Sequence, residues 1–181
     1  MCTGVQVTSP PNAPLLPPSD SGYDIAFNDV HFSYRRQAPI LNGVTFAVPA
    51  GTTCALVGTS GSGKSTLLRL LFRFYDPTAG AVRLHGRDVR EWDLPSLRQL
   101  MGSVPQDVTL FNDTILYNIS YGRPTAARAE VEAAARSAAL HDAILAMPDG
   151  YDTMVGERGL KLSGGEKQRL ALARAFLKVR R

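Results

Sequence analysis

A glycine-rich octet carries the residue types that bind phosphate. It runs Gly58-Thr59-Ser60-Gly61-Ser62-Gly63-Lys64-Ser65 and fits the pattern G-x-x-x-x-G-K-S/T at every fixed position. Glycines suit such a loop because backbone N–H groups can close around phosphate oxygens with no Cβ in the way. The Lys64 ammonium would reach the terminal phosphates and the Ser65 hydroxyl would ligate Mg²⁺, while the dipole of a following helix adds a favourable field. The octet therefore predicts a nucleotide-binding site that uses Mg²⁺.

A loop of glycine and serine is also typical of a flexible connector, so the flanking segments matter. The apolar run at residues 54–57 predicts a buried parallel strand before the loop. Residues 64–74, apolar on most faces, predict a buried helix after it. A strand, a glycine-rich loop and a helix in that order favour phosphate binding. The predicted nucleotide contacts in this stretch are Gly58, Ser60, Gly61, Ser62, Gly63, Lys64, Ser65 and Thr66.

A second octet, Leu162-Ser163-Gly164-Gly165-Glu166-Lys167-Gln168-Arg169, opens the last predicted helix. Ser163 stands as an N-cap and Glu166 follows three residues later, which predicts a capping box. The alternative interpretation is an ordinary, well-capped helix. Gly164 and Gly165 are poor helix formers in a first turn, however, and they leave backbone N–H groups bare. That arrangement favours the close approach of an anion.

The second octet resembles the signature motif of the ABC ATPases, and the resemblance extends over residues 23–178. It implies an α/β fold of the P-loop NTPase class, an ABC-type nucleotide-binding domain with an antiparallel β subdomain and an α-helical subdomain, incomplete at its C-terminus. It also implies that the chain binds ATP and Mg²⁺. Within residues 23–181 we expect a nucleotide-binding core at 23–110, a helical subdomain at 111–162 and the signature helix at 163–178.

The same resemblance implies the roles of individual residues. Tyr34 matches the aromatic residue that stacks on adenine in this family. Gln106 matches the glutamine of the Q-loop, which links Mg²⁺ and the attacking water to the transmembrane domains, and it would join the serine of the phosphate loop as a metal contact. Ser163 and Gly165 are implied to contact the γ-phosphate that is bound at Lys64 of a second nucleotide-binding domain.

Three further stretches, residues 111–115, 141–144 and 150–162, resemble the mitochondrial and heavy-metal-tolerance half-exporters. The implied partners are a second ABC nucleotide-binding domain, identical or different, and a transmembrane domain of the same full-length protein or of a partner. The implied location is the mitochondrial inner membrane or another organelle membrane. Residues 1–22 are rich in proline, which predicts a disordered linker, and they would connect to the membrane domain.

The resemblance also implies which functional groups lie beyond the 181 residues. In this family a Walker B strand ending in Asp, a catalytic Glu, a D-loop and a switch His follow the signature helix, whereas this chain stops at Arg181. We therefore expect the chain alone to bind nucleotide but to hydrolyse it poorly. Because the Walker B strand would pair beside residues 54–57, we also expect the chain alone to be unstable or to aggregate.

Short patterned segments predict the elements that position these residues. Strands are predicted at residues 25–32, 44–48, 82–84 and 102–104, a helical region at 114–147 and a last helix at 164–178. Cys54 lies within an apolar run and is predicted to be a small core residue.

Composition narrows the possible function classes. The net charge is +4 and the arginines form no dense run, so no nucleic-acid partner is expected. The sequence contains no apolar stretch of about 18 residues, the length of a membrane helix. Two alternatives to an exporter ATPase remain: a module that only binds nucleotide, and a soluble ABC ATPase of DNA repair or translation. The soluble class carries coiled-coil or linker insertions between the two octets, whereas this chain predicts only a compact helical subdomain there.

Overall fold

A computed structural model describes residues 7–35, 38–157, 159 and 161–179. The chain forms two compact units, Met1–Arg98 and Gln99–Arg181. Residues 1–6 of the predicted linker, and Arg158 and Leu160 of the third exporter-like stretch, lie outside the described residues. The predicted bounds of linker, core and helical subdomain stay predictions.

The first unit is built on an antiparallel sheet with the strand order β2-β1-β3-β4. Its strands are β1 (Ile25–Arg35), β2 (Ala38–Val48), β3 (Ala79–Leu84) and β4 (Arg87–Asp88). Phe27 of β1 lies opposite Phe46 of β2 and Val82 of β3, and the two phenylalanine rings stack with centroids 4.7 Å apart. The strands predicted in this unit at 25–32, 44–48 and 82–84 are confirmed. Strands β1 and β2 extend further than predicted because they pair with each other along most of their length.

Helix α1 (Lys64–Leu71) begins at the lysine of the glycine-rich octet. It ends three residues before the predicted end, because Arg73 adopts a φ of 52° and the Phe74 N–H donates back to the Arg69 carbonyl. This left-handed residue and back-donated bond form a common type of helix C-terminus. Leu70 is fully buried, whereas Leu68 is 51% exposed. The helix therefore packs on one side only, and the prediction of burial on most faces is wrong.

Residues 54–57 form no strand, so the predicted buried strand before the loop is wrong. Among the described residues no strand hydrogen-bonds to this segment, and a strand needs a neighbour for its backbone groups. Val57 is 92% exposed, and Cys54 is exposed rather than in the core as predicted. An apolar cavity of about 230 Å³ lies between this segment, the sheet and helix α1. Instability of the chain alone stays a prediction.

Residues 7–22 form no helix or strand and contact helix α2 (Leu94–Gln99) and the residue before it. The Leu16 N–H donates to Ser96 Oγ at 3.0 Å, and the Asp93 N–H donates to the Pro14 carbonyl at 3.0 Å. The Leu16 side chain is buried. This segment therefore packs on the first unit through one leucine and a few polar contacts.

The second unit is helical around one small antiparallel pair of strands. The strands are β5 (Asp113–Thr114) and β6 (Met154–Val155), and the helices are α3 (Ile115–Ser120), α4 (Arg128–Ser137), α5 (His141–Leu145) and α6 (Gly164–Val179). The region predicted as helical at 114–147 is divided into three helices. Pro124 stands between α3 and α4 and has no N–H to donate, and Ala139 has a φ of 51° that ends the helical path after α4.

Helix α6 confirms the predicted last helix and is one residue longer than predicted. Leu170, Ala173 and Leu177 follow helical spacing and belong to the core of the second unit. Residues 102–104, predicted as a strand, form none, and no strand in the described part of the chain pairs with them. No helix within the described residues is long and apolar enough to cross a membrane.

Candidate functional site

The glycine-rich octet forms an irregular loop that ends in the first turn of α1. Gly61 and Gly63 adopt φ values of 81° and 91°, in the left-handed region that favours glycine. A Cβ at Gly63 would lie 2.7 Å from Leu41 Cδ2, and a Cβ at Gly58 would lie 2.8 Å from Ser62 Oγ. Gly61 and Gly63 are therefore needed for their backbone angles, and Gly63 also for its close packing against Leu41.

Lys64 folds back over the loop that precedes it. Its ammonium donates to the Gly58 and Thr59 carbonyls, both at 2.7 Å, and to Ser62 Oγ at 3.3 Å. An ammonium has three N–H donors, so these three contacts account for all of them. The contact with Ser62 is the longest, and it is the one that a phosphate oxygen could most easily replace.

The start of α1 supplies further donors for an anion. The first helical hydrogen bonds run from the Thr66 and Leu67 N–H groups to the Gly63 carbonyl, at 2.9 and 3.0 Å. The N–H groups of Lys64 and Ser65 precede them and have no acceptor within the helix. Together with the lysine and the positive end of the helix dipole, these groups fit the phosphates of a nucleotide.

The donor set also fits a nucleotide-bound Mg²⁺. Ser65, the predicted metal contact in this loop, has an exposed side chain. Within the described residues no group of three or more His, Cys, Asp or Glu side chains could hold a metal ion. A serine hydroxyl is an oxygen ligand of the kind that Mg²⁺ takes when most of its remaining ligands are phosphate oxygens and water.

Tyr34 lies near the end of β1 and is connected to α1 through its hydroxyl. Arg69 Nη1 donates to Tyr34 Oη at 2.9 Å, and Thr66 Oγ1 lies 3.3 Å from the same oxygen. The ring makes an edge contact with Tyr75, with centroids 5.1 Å apart. The hydrogen bond with Tyr34 raises the pKa of Arg69 above its ordinary value. The structure thus brings the predicted base-stacking residue against the predicted phosphate-binding helix.

Arg69 was not predicted as a site residue. The sequence does carry a signal for it, because Arg69 follows Thr66 by three residues and the two therefore share one face of α1. What the sequence could not give is the third partner, Tyr34, which comes from a distant strand.

The second octet forms the predicted capping box. The Ser163 N–H donates to Glu166 Oε2 at 2.7 Å, and the Glu166 N–H donates to Ser163 Oγ at 3.3 Å. Hydrogen bonding of the Glu166 carboxyl with the Ser163 side chain, and next with the Ser163 backbone N–H, lowers the pKa of that carboxyl. Among the described residues, a Cβ at Gly164 would meet nothing within 4 Å, and one at Gly165 would meet only the Arg169 guanidinium at 3.7 Å. The first turn of α6 is therefore open on its glycine side.

Gln106 is exposed, and its backbone is held by the second octet. The Gln168 side-chain amide donates to the Gln106 carbonyl at 2.6 Å. Ser163 and Gln168 lie in successive turns at the start of α6, so the structure brings the backbone of the predicted Q-loop glutamine to the signature helix. Sequence reasoning missed Gln168 because its partner lies 62 positions away.

A buried amide anchors the middle of α6 to the segment after the Q-loop. Arg174 donates to the Asn118 carbonyl and to Asn118 Oδ1, both at 2.6 Å, and to the Thr109 carbonyl at 2.9 Å. Burial lowers the pKa of Arg174. Asn118 is fully buried and also bonds the Phe111 backbone in both directions. The sequence gave no indication of this network.

Comparison with known proteins identifies the family. Residues 41–181 match the family described as ABC transporter. The chain is 59% identical, over 87% of its length, to ABC transporter B family member 24, mitochondrial, of Arabidopsis thaliana. It is 54% identical, over 97% of its length, to the ATM1-type heavy metal exporter of Novosphingobium aromaticivorans. It is also similar to a solved structure of a bacterial Atm1-family ABC exporter with ATP bound, with a TM-score of 0.89 and 55% identity over 97% of the chain. The chain belongs to the ABC transporter family.

The matched region is only part of these relatives. The chain spans 23% of the Arabidopsis protein, 29% of the Novosphingobium protein and 30% of the solved exporter chain. The predicted fold class, an ABC-type nucleotide-binding domain of the α/β class, is confirmed. The predicted resemblance to mitochondrial and heavy-metal exporters is confirmed as well.

Proposed function

We propose that this chain is the ATP-binding part of an exporter that couples ATP binding and hydrolysis to transport across a membrane. The observation that carries the proposal is the phosphate loop, in which Lys64 folds back over the glycine-rich turn that leads into the start of α1. The relatives named as exporters, one of them solved with ATP bound, support the same conclusion.

In this proposal the phosphate loop binds the triphosphate of ATP. Lys64 exchanges its long contact with Ser62 for a phosphate oxygen and keeps its two short bonds to carbonyl oxygens, so the loop retains its shape. Ser65 and Gln106 would hold Mg²⁺, which would neutralise charge on the phosphates. Tyr34 stacks on the adenine ring.

The signature turn acts on a nucleotide that is bound by a second domain. Gly164 and Gly165 keep the start of α6 open, because among the described residues only the Arg169 guanidinium lies within 4 Å of where a Cβ would stand. Ser163 and Gly165 would contact the γ-phosphate held at Lys64 of the second domain, and the capping box orients Ser163 for that contact. A second ABC nucleotide-binding domain is therefore the proposed partner, together with a transmembrane domain.

Hydrolysis requires the Walker B Asp and the catalytic Glu, which the family resemblance places after the signature helix. We therefore assign nucleotide binding and the signature contact to the residues described above. The mitochondrial inner membrane or another organelle membrane is the proposed location, because relatives such as the Arabidopsis protein are named mitochondrial.

The direct test is Lys64→Ala, measured as the affinity for ATP in the presence of Mg²⁺. Loss of a charged donor to phosphate should weaken binding by at least about tenfold. Lys161→Ala, which removes the same charge at an exposed position of the second unit, should leave the affinity unchanged. Equal affinity of the parent chain and Lys64→Ala would overturn the assignment of this loop.

A further inference from the structure

The hydroxyl of Tyr34 is tied to the helix that follows the phosphate loop. Arg69 donates to it at 2.9 Å and Thr66 Oγ1 lies 3.3 Å away. Thr66 is two positions and Arg69 five positions beyond Lys64. At about 1.5 Å of rise per residue, both partners lie within the first two turns of α1.

The ring of Tyr34 is held by these contacts and by neighbouring rings. Phe32 and Tyr75 each meet it edge-on, with centroids 4.8 and 5.1 Å away. The Arg69 guanidinium carbon lies 5.8 Å from the ring centroid. The hydrogen bond also raises the pKa of Arg69, as expected when a charged donor is stabilised by its acceptor. Because the ring is 38% exposed, it stays available to a ligand while its orientation is restricted.

A nucleotide requires a fixed separation between the surface that stacks on its base and the loop that binds its phosphates. Tyr34 comes from β1, and the phosphate loop leads into α1, so backbone connection alone does not set that separation. The bond between Arg69 and the Tyr34 hydroxyl joins the two elements directly, because one end is on the strand and the other is on the helix, and Thr66 contacts the same oxygen.

Building on the proposed function, we infer that Arg69 is a positioning residue: its bond to the Tyr34 hydroxyl fixes the base-stacking ring relative to the phosphate loop, and so favours ligands that carry both a purine base and a triphosphate. Arg69 does not act on the phosphates in this arrangement. Arg69 therefore contributes to the affinity for ATP, and it does not contribute to the affinity for a triphosphate that has no base.

The test compares two ligands in the full chain. For Arg69→Met, the affinity for ATP with Mg²⁺ should fall roughly three- to tenfold, the value of one hydrogen bond, while the affinity for inorganic tripolyphosphate with Mg²⁺ should stay unchanged. Arg69→Lys, which keeps a charged donor on a long side chain, should recover part of the loss. Arg87→Met removes the same charge from an exposed position beside Trp92 and Glu91, and it should change neither affinity.

A second measurement uses ATP as its only ligand and compares single and double variants. Tyr34→Phe keeps the ring and removes the hydroxyl, so adding Arg69→Met to it should produce no further loss of ATP affinity. Independent, additive losses would overturn the inference, as would equal losses for ATP and tripolyphosphate or no loss for ATP in Arg69→Met. Failure of the parent chain to bind ATP at all is a different result, since it would overturn the proposed function on which the inference rests.

Discussion

The side-chain amide of Gln168 donates a hydrogen bond of 2.6 Å to the main-chain carbonyl of Gln106. One residue belongs to the signature octet and the other is the predicted Q-loop glutamine. The contact uses only the backbone of Gln106, so the side chain of Gln106 is left for other partners. The signature helix therefore holds the Q-loop in place without occupying the group that is proposed to contact Mg²⁺.

Removing this contact should loosen the Q-loop. For Gln168→Ala we expect faster hydrogen exchange of the backbone amides at residues 106–108, because one net hydrogen bond, about 1 kcal/mol, is lost. Lys167→Ala, one position earlier on the same helix, serves as the control and should leave these amides unchanged. Exchange rates that are the same in parent and Gln168→Ala would show that the contact does not restrain the loop.

Replacing the buried amide of Asn118 should be costly. Asn118→Ala removes an acceptor from the Phe111 N–H and from the Arg174 guanidinium, and leaves both donors in a partly buried site. We expect a loss of about 3 kcal/mol in the free energy of unfolding, measured by urea denaturation. Thr125→Ala, at an exposed position between α3 and α4, should change it by no more than about 0.5 kcal/mol. A similar small effect for Asn118→Ala would contradict the proposed anchoring role.

The capping box predicts a dependence of stability on pH. Its hydrogen bonds lower the pKa of Glu166 in the folded chain below the ordinary value of 4.5. A carboxyl with a lowered folded pKa stabilises the fold above its unfolded pKa, and that contribution is lost as the pH falls below about 4.5 through the folded value. Glu166→Gln keeps an acceptor for the Ser163 N–H but cannot titrate. Its stability should therefore fall less than that of the parent chain across this acidic window.

Thermal unfolding at a series of pH values from neutral to acidic checks this expectation. Glu166 is partly exposed, so solvent screening keeps the difference between the two curves modest. If the melting temperature falls equally with pH in the parent and in Glu166→Gln, the bonds between Ser163 and Glu166 add no stability that depends on the charge of the carboxylate.

The position of Cys54 can be measured by thiol chemistry. In the first unit Cys54 is exposed, so we expect it to react with a water-soluble disulfide reagent at the rate of an accessible thiol. The Cys2→Ser variant makes Cys54 the sole thiol of the chain, since the sequence has two cysteines. The same variant in urea gives the rate for the unfolded chain. A folded-state rate many times slower than the urea rate would place Cys54 in a protected environment, as the apolar run around it first suggested.

The features that could be predicted from the sequence are those with local causes. Helix α6 follows from helical spacing of apolar residues, and its capping box from a serine and a glutamate three positions apart. The phosphate loop follows from glycines that its backbone angles require, such as Gly61 and Gly63. Strand β1 follows from its apolar pattern, although its full length depends on pairing with β2.

The features that were missed or wrong have distant causes. Residues 54–57 have the composition of a buried strand, but burial requires neighbouring strands, and composition does not show whether these are present. Arg69 and Gln168 read as surface residues of their helices, and each gains a role only from a partner elsewhere in the chain. Long side chains with several donors can reach many partners, so sequence spacing alone does not select one.

The reciprocal bonds at the start of α6 affect which groups can accept the hydroxyl proton of Ser163. Ser163 Oγ accepts the Glu166 N–H with one lone pair, while its own proton is the one that can bond the Glu166 carboxylate and lower the pKa of that group. One oxygen thus stabilises its own helix, and it can offer its proton outward only in competition with the Glu166 carboxylate. An alanine at this position would lose both functions, whereas a threonine would keep both and add a methyl group beside the open glycines. The signature turn can therefore accept threonine at residue 163 only if its methyl group leaves room for an incoming phosphate.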